Sequence, residues 1–99
     1  MDKVKEFEKI SKEQCELYVE KNKAYGDSFG KTFSRLGIIS AVTRIEDKYN
    51  RLVNLVKNPN IDDLGESIED TLRDMSNYCI MTLIELNKEK GGTNAKEEI

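Results

Sequence analysis

Glu66, Asp70, Asp74 and Asn77 recur at spacings of four, four and three residues in Glu66-Ser-Ile-Glu-Asp-Thr-Leu-Arg-Asp-Met-Ser-Asn77, with Glu69 beside them. On a helix these spacings place the side chains along one face. A carboxylate row at that pitch has two chemistries open to it. It can be one wall of a divalent-metal site, and magnesium is then the natural ion, because it works with one or two protein carboxylates plus phosphate oxygens and water. Or it can be a solvated salt-bridge stripe, where each exposed pair contributes only about 0–1 kcal/mol.

A second polar row, Arg44, Asp47, Lys48 and Arg51, is spaced three, one and three residues apart and is mostly basic. The short connection at 57–63 makes the two helices antiparallel neighbours, so the cations run beside the carboxylates. Interhelical ion pairing is the plain outcome. The functional alternative is a pocket in which Asp47, Glu66, Glu69, Asp70 and Asp74 hold a cation while Arg44, Lys48 and Arg51 neutralise the phosphates it bridges. Lys21, Lys23 and Tyr25 would add donors and a stacking ring, and Asn77 an amide. Alone, Lys21-Asn-Lys-Ala-Tyr25 also fits an exposed helix end, and Gly26–Gly30 is too short and irregular to be a phosphate loop.

The chain contains no histidine, which removes the commonest general base and the usual imidazole metal ligand. Any chemistry must use carboxylates, Lys, Tyr or metal-bound water. Cys15 and Cys79 fall in separate helical patterns without Cys-x-x-Cys spacing, so buried reduced thiols are expected rather than a zinc or redox motif. A net charge of −3 gives no basic field to hold duplex DNA or RNA. No apolar run approaches membrane-spanning length, and no hydrophobic signal core follows Met1-Asp-Lys-Val-Lys5. The expected location is therefore the cytoplasm, that of a bacterial host if the chain is phage-encoded, with no membrane partner.

The elements that must position these residues are helices. Val4, Phe7, Ile10, Gln14, Leu17 and Tyr18 recur at helical spacing up to Tyr25-Gly26, where glycine can take the left-handed terminating position. Gly26–Gly30 reads as a loop, and Lys31–Leu36 as a short helix ended by Gly37. Ile38, Val42, Ile45, Tyr49, Leu52 and Val56 then form an unbroken 4-3-4-3-4 pattern that looks like a packing seam. Asn58-Pro59-Asn60 ends it. Asp62 or Asp63 is expected to cap a third long helix that turns Leu64, Ile68, Leu72, Met75, Cys79, Thr82, Leu83 and Leu86 inward. Residues 90–99 lack periodicity and carry two adjacent glycines, so they read as a disordered tail. The expected fold is all-α, one domain over 1–89, with three main antiparallel helices and a short one. A chain of 99 residues buries only about 60–65 % of its unfolded surface, so assembly into an oligomeric helical bundle is expected to supply the missing burial.

Three segments together, Lys21-Asn-Lys-Ala-Tyr-Gly-Asp-Ser-Phe29, Arg44-Ile-Glu-Asp-Lys-Tyr-Asn-Arg-Leu52 and Glu66 to Tyr78, resemble the phage and bacterial nucleotide-modification-associated all-α domain family over about residues 10–86. That family is similar in layout to the MazG-like all-α nucleoside triphosphate pyrophosphatases. The resemblance implies a helical dimer or tetramer and magnesium-dependent release of pyrophosphate from a nucleotide. The match departs from that enzyme pattern at one point. MazG-like enzymes set a Glu-x-x-Glu pair against a Glu-x-x-Asp pair on the next helix. Here the corresponding helix offers only the adjacent Glu46 and Asp47, on a face that is otherwise cationic. A cationic row suits phosphate holding better than water activation. The favoured expectation is therefore a small oligomer that sequesters a nucleotide or cyclic nucleotide in a basic pocket at a subunit interface. The alternatives are a magnesium-dependent pyrophosphatase linked to nucleotide modification, and a helical interaction module.

Overall fold

The computed structural model describes residues 1–60 and 67–94, and every element among them is helical: α1 Lys3–Tyr25, α2 Ser28–Leu36, α3 Ile38–Lys57 and α4 Ile68–Asn94. They pack as a bundle in which α3 lies along α4, α2 bridges both, and α1 rests on α4.

Capping side chains explain where each helix begins. Asp2 Oδ1 accepts from the Val4 and Lys5 amides at 3.0 and 3.2 Å, and Gly26 at φ 62° closes α1 by donating its amide to the Asn22 carbonyl at 2.8 Å. Asp27 then caps α2 through the Gly30 amide at 3.2 Å. The expected loop at Gly26–Gly30 is thus confined to Gly26-Asp27, and the short helix starts at Ser28 rather than Lys31. Two forces extend it: the aspartate satisfies an amide that otherwise has no partner, and Phe29 and Phe33, one turn apart, are both buried. At α4, Ser67 Oγ accepts from the Asp70 amide at 3.0 Å while the Ser67 amide donates to Asp70 Oδ2 at 3.4 Å. This reciprocal capping box sets the first described turn. The expected caps Asp62 and Asp63 lie outside the described residues, as do Leu64 and Glu66. α4 continues to Asn94, into the segment read as a tail, because extending an established helix is far less costly than nucleating one; residues 95–99 lie outside the described set.

The core is small: Phe29, Phe33 and Ala41 are buried, with Tyr78, Met81 and Leu86 packed on them, and Leu55 is buried further along α3. The expected inward rows of α3 and α4 hold in part: Thr82 is buried and Ile45, Leu52, Met75 and Leu86 are half-buried. Ile38, Val42, Tyr49 and Val56 of the α3 seam are exposed, as are Ile68, Leu72, Cys79 and Leu83 of α4. The inward row of α3 is Ala41, Arg44, Lys48, Arg51 and Leu55, itself spaced 3-4-3-4; the buried or half-buried polar residues of α4 include Thr71, Asp74, Asn77, Thr82 and Glu85, and Lys48 meets Asp74 across the contact at 3.1 Å. Thr71 and Thr82 can face inward because each hydroxyl folds back onto its own helix, donating to the Ser67 and Tyr78 carbonyls at 2.9 and 2.6 Å. The polar stripes are therefore half-buried and much of the apolar surface faces out.

The contact between α1 and α4 is also polar. Gln14, the one buried residue of α1, donates from Nε2 to the Arg73 carbonyl and to Asn77 Oδ1, both at 2.8 Å. Asn77 Nδ2 returns a bond to the Gln14 carbonyl at 3.1 Å, and Arg73 donates to Gln14 Oε1 and Glu13 Oε1, both at 3.1 Å.

Candidate phosphate-binding pocket

Where the end of α1 approaches α3 and α4, a cavity of about 290 Å³ opens, and the start of α2 forms its floor. Three cations reach it from two helices: Lys21 of α1, and Arg44 and Lys48 of α3. Their common partner is Asp74 of α4. Lys21 Nζ donates to Asp74 Oδ1 at 3.0 Å, and Lys48 Nζ lies 3.1 Å from Asp74 Oδ2. Burial pushes the Asp74 carboxyl up, but the hydrogen bonds and charges of Lys21 and Lys48 outweigh it, so the group is held below the usual carboxylate range. Asp27, the other carboxylate of the lining, is engaged in capping α2. Three cations against two carboxylates leave one positive charge in excess.

Aromatic rings shape the rest. Phe29 and Tyr78 stack with centroids 5.9 Å apart and planes 14° from parallel. The Arg44 guanidinium lies over Phe29, its central carbon 5.2 Å from the ring centroid, and also reaches the Thr32 hydroxyl at 3.5 Å. Such a ring face holds a cation without neutralising it, so Arg44 is oriented yet still able to meet an anion. Tyr25, 72 % exposed, stands in the wall beside Gly26.

Of the sequence-derived site residues, Lys21, Tyr25, Arg44, Lys48, Asp74 and Asn77 come together here. Asn77 lines the cavity, but its amide is occupied by Gln14 and serves chiefly to seat α1. Lys23 pairs with Glu20 at 3.5 Å on exposed α1 surface. Arg51 is half-buried on α3 and does not line the cavity.

The carboxylate row divides among separate tasks. Glu69 accepts from Arg73 Nε at 3.2 Å, and the hydrogen bonds of Glu69 and then Glu13 raise the Arg73 guanidinium above its ordinary value. Asp70 belongs to the capping box, Asp47 is exposed on α3 outside the cavity, and Glu66 lies outside the described residues. Among the described residues no three His, Cys, Asp or Glu side chains are grouped to hold a metal ion. The donor set at the cavity therefore does not fit a multi-carboxylate metal centre. Cys15 and Cys79 are exposed free thiols, not the buried ones expected.

Sequence reasoning missed Phe29, Tyr78 and Gln14 as builders of this region. The spacing of Asp74 and Tyr78, one turn apart on α4, was the available signal for Tyr78. Spacing put Gln14 in the row of α1 with Ile10 and Leu17, but not its polar role, because its partners lie about sixty residues away.

Fold and cavity together define a small all-α protein with a cation-rich, aromatic-lined pocket between its helices. The family described as nucleotide modification associated domain 1 matches residues 21–86, two-thirds of the chain, and the chain belongs to that family. The matched span begins at Lys21 and so includes every cation of the cavity, while Gln14 and most of α1 precede it. No match was found among curated proteins or among solved structures. No helix among the described residues is long and apolar enough to cross a membrane.

Proposed function

We propose that the chain binds a nucleotide or cyclic nucleotide by its phosphate in this pocket and holds it without cleaving it. The observation that carries this reading is the convergence of Lys21, Arg44 and Lys48 on one cavity. An incoming phosphate competes with the Asp74 carboxylate for the two lysines and gains the Arg44 guanidinium, a planar donor suited to two phosphate oxygens. The cavity is at the small end for ligand sites, typically about 300–1,000 Å³. It therefore takes the phosphate and sugar, and the base extends to the ring of Tyr25. Family membership supports a nucleotide as the ligand class.

Hydrolysis is the weaker reading, because Asp74 is the one carboxylate of the lining not already committed to a helix cap, and it lies between two ammonium groups. One magnesium ion, brought with the phosphates and touching Asp74, is the most the described donor set supports. A homo-oligomer, the protein in a bacterial cytoplasm and ligand capture as its role complete the proposal.

The test is to incubate the protein with nucleoside triphosphates and with cyclic nucleotides, with and without magnesium, following binding heat and ligand mass. Binding with intact ligand recovered after heat denaturation is expected. Magnesium-dependent pyrophosphate release that disappears in Asp74→Asn would establish a hydrolase instead. Absence of binding in every mixture would leave an interaction module.

A further inference from the structure

One row of α1 runs Gln14, Tyr18, Lys21 and Tyr25, spaced four, three and four residues apart on a single face. Its last three members line the pocket, and Gln14 stands just outside, about 10 Å from Lys21 along the helix. We propose that Gln14 is a positioning residue for phosphate binding, a role that rests on the pocket being the phosphate site. By fixing the rotation of α1 on α4 it sets Lys21 beside Lys48, and a phosphate that bridges the two lysines in turn holds α1 down.

Three observations carry this role. Apolar packing does little to settle how α1 is turned, because Val4, Phe7, Ile10 and Val19 are each at least two-fifths exposed, and Gln14 is the one residue of the helix that is buried. Gln14 is also saturated. Its Nε2 donates to the Arg73 carbonyl and to Asn77 Oδ1, its Oε1 accepts from Arg73 Nη1, and its backbone carbonyl accepts from Asn77 Nδ2. Side chain and backbone of one α1 residue are thereby tied to a single turn of α4. Such a network fixes rotation and height together, whereas the exposed Lys21 side chain, in an ion pair by itself, fixes neither. The third observation is where that turn lies. Asn77 is three residues from Asp74, which receives Lys21 at 3.0 Å and lies 3.1 Å from Lys48, and Asn77 itself stands in the cavity wall. Latch and pocket therefore share one stretch of α4. A phosphate that takes Lys21 from α1 together with Lys48 and Arg44 from α3 adds a link between the two helices. Linkage is reciprocal, so whatever seats α1 strengthens phosphate binding, and phosphate strengthens the seating.

Calorimetry with inorganic pyrophosphate on a double-mutant cycle tests the role, because pyrophosphate has no base and reads the cations alone. Lys21→Ala should weaken binding about tenfold and Gln14→Ala about fivefold. Added to Lys21→Ala, Gln14→Ala should have no further effect; added to Lys48→Ala, whose lysine belongs to α3, it should still weaken binding about fivefold. A merely structural loss weakens every background alike. An effect of Gln14→Ala that is equal in the wild type, Lys21→Ala and Lys48→Ala overturns the proposal, and so does a Gln14→Ala that binds as the wild type does. Hydrogen exchange of the wild type needs no Gln14 variant and decides the matter if that variant fails to fold. Saturating pyrophosphate should slow the amides of residues 11–25 in the wild type and leave them unchanged in Lys21→Ala; slowing confined to α3 and α4 overturns the proposal. A wild type that binds no pyrophosphate overturns the pocket reading and the role of Gln14 with it, whereas binding weakened by Lys48→Ala but not by Gln14→Ala overturns the role alone.

Discussion

Asp74 lies between two lysines from different helices, and its charge can be removed without changing its shape. Asp74→Asn should cost about 1–2 kcal/mol, because it leaves a partly buried pair of ammonium groups uncompensated; denaturant melts measure this. The same substitution should tighten pyrophosphate binding several-fold, because the internal competitor for Lys21 and Lys48 is gone. A metal-ligand role for Asp74 predicts the opposite sign. The carboxyl is held below its ordinary value in the folded protein, so its contribution is complete above the unfolded-chain value of about 3.9 and is lost as the pH falls through the lower folded value. Melting temperatures of wild type and Asp74→Asn should therefore differ at neutral pH and converge in acid. Arg51→Glu, on a residue outside the cavity lining, should reduce pyrophosphate binding far less than Lys48→Ala does. The types of these residues, and their place on α3 and α4, were legible in the sequence. Which carboxylate meets which cation was not, because Lys21 and Asp74 are separated by more than fifty positions and meet only when α1 docks.

Helices were the most legible elements. Apolar spacing and terminating residues placed α1 and α3 nearly to their ends, and the departures came from caps. Asp27 starts α2 early enough to bring Phe29 under Arg44, and Ser67 with Asp70 starts the described part of α4. Asp27→Ala should cost about 1 kcal/mol and lower the melting temperature by roughly 4–8 °C, as expected for a domain of this size. It should also weaken pyrophosphate binding, because the floor of the cavity frays with the first turn of α2. The rotation of α3 and α4 about their axes was not legible. Periodicity shows that an apolar and a polar stripe lie on different sides of a helix, and the usual assumption turns the apolar one inward. Here Lys48 of α3 and Asp74 of α4 satisfy one another across the contact, so the polar stripes meet.

For the whole molecule, this inversion leaves a thin core and a large exposed apolar surface. The proposed homo-oligomer links stability to association by mass action, so the melting temperature should rise with protein concentration. Scanning calorimetry at several concentrations checks this. By itself the sequence determined an all-α chain, the approximate extent of its long helices, and a basic and an acidic row on two neighbouring ones, because helix formation is governed by local spacing and caps. The tertiary structure alone decided that the acidic row divides: Glu69 to Arg73, Asp70 to the helix cap, and Asp74 to the pocket. It also decided that much of each apolar seam faces outward. Both depend on how each helix is rotated against its neighbours, and that is settled by the summed contacts of distant residues.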